Sequence, residues 1–198
     1  NTFQKDILRS MLGISKATRI IIYQGKLTTG RSIPAILEIF EAMQMRDLAL
    51  VIMGAGKLEK EVKRRVKGPM NGIYFVQAVS PDEVLDVTSS ADIGLALIEN
   101  TCLSYFFCLP NKVFEFLMAG LAIIVSDFPE LKKIVQNYGV GESVDVNDRS
   151  QIRRTMERMA TVNLEHYQQL ARKAAWTFCW ERQEPVLADI YSRLVKDL

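Results

Sequence analysis

Short runs of apolar residues recur along the chain, and the segments between them carry apolar residues at every third or fourth position. The runs cover residues 19–23, 48–53, 73–76, 92–98, 121–125 and 139–144. Continuous apolar runs are typical of strands buried on both faces, whereas the intervening spacing is typical of amphipathic helices. This alternation predicts an α/β domain with a doubly wound, parallel, six-stranded sheet and helices on both of its faces.

The same spacing predicts helices at residues 3–12, 32–43, 58–66, 80–90, 109–120 and 127–136, with three more at 148–159, 163–177 and 180–198. Ser32, Ser80 and Asp127 precede periodic segments and are predicted to cap their helices. We expect residues 1–178 to form the α/β domain. Residues 179–198 are expected to form a terminal helix, whose apolar stripe predicts that it packs on another surface.

Composition and charge narrow the classes of function. The chain is 48% hydrophobic and 24% charged, and its net charge of +2 does not indicate a nucleic-acid or acidic-membrane partner. Cys102, Cys108 and Cys179 form no CxxC pair, which favours reduced thiols in a cytoplasmic protein. The one histidine, His166, argues against a histidine-based metal site. Because the chain starts at Asn1 rather than Met, we expect a piece of a longer protein.

A ligand site in such a sheet is expected beyond the carboxyl ends of the strands. The first predicted strand is followed by Gly25, Lys26, Gly30 and Arg31, just before a helix. Flexible glycines, two cations and a helix amino terminus can cradle a phosphate. A solvated turn with ordinary surface cations has the same sequence signature, so both interpretations stay open here.

The next two strands end in small residues. Gly54 and Gly56 favour a tight turn over a dinucleotide-binding glycine motif, because Glu59 occupies the position of the third glycine. After the third strand, residues 77–79 could offer backbone groups to a heterocyclic base or form a plain loop.

An aromatic connection and a helix follow the fourth strand. Residues 99–109 could form a lid, a sugar-facing loop or an interface patch. In the next helix Lys112 and Glu115 are three positions apart and share a face. Such a pair suits an anionic, hydroxyl-rich ligand, and it is also a common surface ion pair.

Four segments taken in order resemble a known family: YQGKL followed by GRSI, then LVIMGAGKLEKEV, then FVQAV with EVLDVTSSADIGLALI, then LPNKVFEFLMAGLAIIVSD. Over roughly residues 18–141 the chain resembles the C-terminal, Rossmann-like domain of GT-B glycosyltransferases, most closely the retaining family 4, also called group 1. The resemblance implies the donor-binding half of a transferase of hexosyltransferase type. Such an enzyme moves a sugar from a UDP- or GDP-sugar to a glycan, lipid or other acceptor, as in polysaccharide biosynthesis.

The resemblance also implies roles for single residues. Lys26 and Arg31 would contact the donor diphosphate, and Glu115 would hold the ribose hydroxyls; these three carry the catalytic assignment. The wider set implied for donor binding adds Gly25, Gly54, Gln77, Ala78, Val79 and Lys112. No cofactor and no metal ion is implied, because cations serve the diphosphate in this class.

Two departures from the family pattern limit what the chain can do. The family's first motif glutamate would fall at Phe107, which is not an acid. The family's N-terminal domain, which carries the acceptor site, does not fit into 198 residues. We therefore expect the isolated chain to be inactive and residues 179–198 to pack towards that domain.

The full enzyme is expected in the cytoplasm, and we further expect it to associate peripherally with the inner face of the membrane. The alternative is a catalytically inactive nucleotide-binding or interaction module of the same fold.

Overall fold

The computed structural model of the chain describes residues 6–196, with side chains as far as Leu194. Six parallel strands form one sheet in the order β3-β2-β1-β4-β5-β6. The strands are β1 Arg19–Gln24, β2 Leu48–Gly54, β3 Ile73–Gln77, β4 Ile93–Ala96, β5 Ala122–Ser126 and β6 Gly141–Val144. This confirms the predicted doubly wound sheet.

Ten helices occur within residues 6–196, namely α1 Ile7–Leu12, α2 Ile33–Met43, α3 Glu59–Arg65, α4 Pro81–Thr88, α5 Leu103–Phe106, α6 Asn111–Met118, α7 Pro129–Tyr138, α8 Arg149–Thr161, α9 Glu165–Phe178 and α10 Trp180–Lys196. The short helix α5 lies within residues 99–109, the aromatic segment that was predicted to connect the fourth strand to the next helix. The start predicted for the first helix, at residue 3, lies outside the described residues. None of the described helices has the length and apolar character needed to cross a membrane.

Two apolar cores cover the two faces of the sheet. Along β1, Ile20 and Ile22 face one core, whereas Ile21 and Tyr23 face the other, because successive side chains of a strand point to opposite faces. The first core contains residues from α1, α4, α6, α7 and α9. The second contains residues from α2, α3 and α8. Both faces of the sheet are therefore covered, as the continuous apolar runs predicted.

The predicted helix caps have mixed outcomes. Ser80 is confirmed as the cap of α4 by a capping box, in which its side chain accepts from the Glu83 backbone N–H and its own backbone N–H donates to the Glu83 carboxylate at 3.2 Å. Asp127 is wrong as a cap, because α7 begins after Phe128 and the Asp127 carboxylate instead pairs with Lys132 at 2.9 Å. Ser32 precedes α2 but does not cap it through its side chain. It has a left-handed backbone with a φ of 50°.

The strand order creates a crevice at one edge of the sheet. The chain proceeds outward from β1 to β3, then returns to lay β4 on the other side of β1. Helices that follow β1 and β4 therefore leave the sheet on opposite sides, and a gap opens beyond the carboxyl ends of these strands. The carboxyl ends of β1 and β2 and the first turn of α6 meet there.

Candidate functional site

A cleft of about 500 Å³ opens beyond the carboxyl ends of β1 and β2, with α6 as its opposite wall. Of the residues implied for donor binding, eight line it: Gly25, Lys26, Arg31, Gly54, Ala78, Val79, Lys112 and Glu115. Gln77 is exposed and lies outside the lining. The structure adds Gln24, Met53, Ala55, Val84, Pro110 and Asn111.

The floor of the cleft forms where the loop after β1 docks on the turn after β2. The backbone N–H of Gly25 donates to the Met53 carbonyl at 3.0 Å, and that of Leu27 donates to the Ala55 carbonyl at 2.9 Å. A Cβ atom on Gly54 would lie 1.9 Å from the Gly25 carbonyl oxygen. Only glycine allows this approach, which supports the tight-turn interpretation of the glycine pair.

Lys112 lies over the face of a buried aromatic ring. Its Nζ atom is 4.0 Å from the centroid of the Tyr23 ring and would lie 3.3 Å from a Cβ atom added to Gly25. Burial and the nearby Arg31 guanidinium lower the pKa of Lys112 to about 7, against a weaker opposing effect of Glu115. Among the described residues no ion pair joins Lys112 to Glu115, so the surface ion pair that their spacing allowed is not formed.

The Glu115 carboxylate is held from inside the fold. Gln24 Nε2 donates to Glu115 Oε2 at 2.5 Å, and the Thr88 hydroxyl donates to Gln24 Oε1. Gln24 is 3% exposed and Thr88 is fully buried. Sequence reasoning missed both residues. The signal that could have found them is the presence of a polar side chain at the end of a buried strand and another on the apolar face of a helix.

The segment after β4 braces the turn that carries Arg31. The Arg31 guanidinium lies 4.7 Å from the centroid of the Tyr105 ring. A Cβ on Gly30 would lie 2.6 Å from that ring. The Glu99 carboxylate accepts a hydrogen bond from the Ser32 backbone N–H at 3.0 Å, and the Glu99 N–H donates to the Gly30 carbonyl at 3.1 Å.

Phe107, which stands where the family pattern has an acid, follows α5 and is 56% exposed. Its ring meets the Phe106 ring edge-on, with the centroids 4.9 Å apart. The position therefore offers an apolar surface and no hydrogen-bond acceptor.

The charges of the cleft are one-sided. Lys26, Arg31 and Lys112 form no ion pair with any carboxylate in the part of the chain that the structure describes, and Glu115 is the acid in the lining. Within the same residues, no three His, Cys, Asp or Glu side chains come together in a way that could hold a metal. The arrangement suits a ligand with anionic groups at one end and hydroxyl donors near Glu115.

Comparison with known proteins identifies a family that matches most of this chain. The family model described as "Glycosyl transferases group 1" matches residues 18–161. No curated protein sequence gives a significant match.

Solved structures share the fold at low sequence identity. Sucrose-phosphate synthase from Thermosynechococcus elongatus superposes with a TM-score of 0.76 and 16% identity, over 96% of this chain and 49% of that one. WaaG, a glycosyltransferase involved in lipopolysaccharide biosynthesis, gives 0.71 and 15%, over 89% and 48%. A structure described as trehalose-6-phosphate from E. coli bound with UDP-2-fluoro glucose gives 0.68 and 14%, over 93% and 46%. The chain spans about half the length of each.

Proposed function

The chain belongs to the group 1 glycosyl transferases. We propose that it is the donor-binding half of a retaining transferase of hexosyltransferase type. The donor is a nucleoside-diphosphate sugar, and the acceptor is a glycan, a lipid or a related hydroxyl compound. The observation that carries the proposal is one cleft in which three cations without carboxylate partners face a glutamate held by a buried amide.

In this proposal the cations serve the diphosphate. Lys26, Arg31 and Lys112 neutralise its charge in the ground state and the additional charge that develops on it as the sugar departs. They take the place that a divalent metal ion has in other glycosyltransferases. The cleft volume of about 500 Å³ is within the range of small-molecule sites.

Other residues of the cleft lining bind the nucleoside in this proposal. Glu115 accepts hydrogen bonds from the ribose hydroxyls, and Ala78 and Val79 flank the base beside the apolar side chain of Val84. A structurally similar chain is described as bound with UDP-2-fluoro glucose, which supports a donor of this chemistry. UDP and GDP are therefore the first nucleotides to test.

The acceptor side of the reaction lies outside this chain in our proposal. An N-terminal domain would bind the acceptor and complete the catalytic groups, and α10 would pack towards it. Accordingly, we expect the 198-residue chain to bind donor nucleotide weakly and to transfer no sugar. Robust transfer by this chain alone would overturn that part of the proposal.

Phe107 favours a second candidate function. Because it replaces an acid with an exposed aromatic ring, it removes the contact that the family pattern assigns to the donor sugar. A nucleotide-binding or interaction module without catalysis would tolerate that change. In such a module the cleft would bind a nucleoside diphosphate with no preference for an attached sugar.

Calorimetric titration with UDP and GDP tests the proposal. We expect one of the two to bind the wild-type chain, and Glu115→Ala to weaken that binding at least tenfold, because it removes a charged acceptor for ligand hydroxyls. Glu157→Ala on α8 is the matched control, since this carboxylate pairs with Arg153 away from the cleft; its affinity should match the wild type. Binding of neither nucleotide, or equal affinity of Glu115→Ala and wild type, would favour an interaction module.

A further inference from the structure

We infer that Gln24 and Thr88 are positioning residues that fix the Glu115 carboxylate for a ligand bearing neighbouring hydroxyl groups. The inference rests on the proposed function for the identity of that ligand. It rests on this chain's own hydrogen bonds for the positioning, in which Thr88 donates to Gln24 and Gln24 donates to Glu115.

The donors and acceptors of the Gln24 amide determine the direction of the two hydrogen bonds. A primary amide has donors on nitrogen and acceptors on oxygen, so only one orientation of Gln24 places donors against the Glu115 carboxylate. In that orientation its Oε1 faces Thr88, whose hydroxyl hydrogen can rotate to donate. The reversed amide would set an oxygen against a carboxylate oxygen. Thr88 therefore fixes the orientation of the Gln24 amide, and this amide fixes the position of the Glu115 carboxylate.

The two residues that position Glu115 are buried, so these hydrogen bonds are not incidental contacts between surface side chains. Gln24 ends a strand in which residues 20–23 are fully buried, and it is itself 3% exposed. An amide at such a place is costly unless its polar atoms find partners, and here each finds one from a different helix. The residues join α4, β1 and α6 across the point where the strand order reverses.

The positioning leaves one oxygen of Glu115 available. Oε2 accepts from Gln24, and Oε1 accepts no hydrogen bond from any residue that the structure describes. Because Glu115 lines the cleft, a carboxylate held in this way keeps the lone pairs of one oxygen for a ligand. Such an acceptor fits two adjacent hydroxyls, as on the 2′ and 3′ carbons of a ribose, better than it fits a ligand without them.

Substitutions at Thr88 test the inference. Thr88→Val keeps the shape and removes the donor, so the Gln24 amide is free to reorient. We expect the nucleoside diphosphate that binds the wild type, UDP or GDP, to bind this variant about fivefold to tenfold more weakly, the effect of losing one well-placed hydrogen bond. Thr88→Ser restores the donor and should recover the affinity to within about twofold.

Two controls separate positioning from a general loss of structure. Ser89→Ala removes the neighbouring hydroxyl, which donates to the Asp86 carbonyl at 2.8 Å outside the cleft lining, and should leave affinity unchanged. The 2′,3′-dideoxy form of the same nucleotide lacks the hydroxyls that Glu115 would hold. Its affinity should be the same for wild type and Thr88→Val. A merely structural role for Thr88 would weaken both nucleotides alike, and that result would overturn the inference.

Combination with Glu115→Ala completes the test. In that background Thr88→Val should have no further effect on affinity, because the carboxylate to be positioned is absent. Additive losses would contradict the positioning role.

A readout without ligand keeps the two proposals apart. The NMR signal of the Gln24 side-chain amide should shift in both Thr88→Val and Glu115→Ala and stay unchanged in Ser89→Ala. If the wild type binds neither nucleotide, the proposed function fails, and this NMR signal alone tests the positioning of Glu115. A Gln24 amide signal that is the same in the wild type and in both variants would overturn the inference.

Discussion

At the scale of the residue, Lys112 shows how neighbours decide the charge of a side chain. Burial and, to a lesser extent, the Arg31 guanidinium favour its neutral form, whereas Glu115 and Cys108 favour its protonated form. The Tyr23 ring, which Nζ faces, attracts the cation as well. With a pKa of about 7, Lys112 is half-protonated near neutral pH. A bound diphosphate would add negative charge beside it and raise that pKa.

This balance predicts proton uptake on binding. At pH 8 the free protein holds Lys112 mostly neutral, and an arriving diphosphate draws a proton onto it. Affinity should therefore fall as pH rises above 7, by up to about tenfold per pH unit until the pKa of the complex is reached. Calorimetry of a nucleotide sugar in buffers of different ionisation enthalpy measures the uptake.

Lys112→Met is the matched variant for this experiment, since it keeps the length of the side chain without a titrating group. It should bind more weakly at pH 6.5 and show no proton uptake at pH 8. Lys26→Met, which removes an exposed cation from the same cleft, should lower affinity and leave the uptake intact. Equal proton uptake in the wild type and Lys112→Met would contradict the assignment.

At the scale of the element, the site depends on one loop lying flat against a neighbouring turn. The loop after β1 donates two backbone hydrogen bonds to the turn after β2, and a glycine makes the approach possible. The positions of Gly25 and Lys26 in the cleft follow from this docking. A side chain inserted between the two backbones must push them apart.

Gly54→Ala should therefore damage both stability and binding. Its Cβ would lie 1.9 Å from the Gly25 carbonyl oxygen, so the loop must move, and we expect about 2 kcal/mol of destabilisation. Gly13→Ala is the control: its φ is +65° but nothing lies within 4 Å of the added Cβ. Urea unfolding should show a loss in both variants, whereas nucleotide affinity should fall only in Gly54→Ala. Unchanged affinity in Gly54→Ala would contradict the docking argument.

The strands could be predicted from sequence because burial on both faces leaves a direct trace, a continuous apolar run. The ends of helices and the polar contacts between distant residues were harder to predict from the sequence. Thr88 and Gln24 are 64 residues apart in sequence, so no local pattern joins them. Ser32 precedes α2 as predicted, but its left-handed backbone departs from the usual N-cap conformation and its N–H donates to Glu99, 67 residues away. Long-range partners override local propensity at such places.

At the scale of the molecule, the terminal helices differ in how firmly they belong to the fold. Ala171 and Ala174 of α9 are buried, and Phe178 packs against Phe114 and Tyr138. On α10 the large apolar side chains are exposed, namely Trp180, Val186, Leu187, Ile190, Tyr191 and Leu194. A stripe of this kind is typical of a surface that contacts a partner, and the N-terminal domain of our proposal would provide one.

Truncation tests this division. A chain ending at residue 178 should lose less than about 1 kcal/mol of unfolding free energy, because α10 buries little of its surface on the domain. It should also be less prone to concentration-dependent association, measured by sedimentation. A chain ending at residue 162 loses α9 as well and should be severely destabilised. A large loss on removal of α10 alone would show that residues 179–198 belong to the domain.

The brace around Arg31 has a consequence for how fast a ligand is captured. Glu99 and the Tyr105 ring hold the turn from both sides before any ligand arrives. The conformational entropy of this turn is therefore lost during folding, and ligand capture need not include that cost. A preformed cationic cleft of this kind should give a single-phase association whose rate rises with ligand concentration and falls with salt.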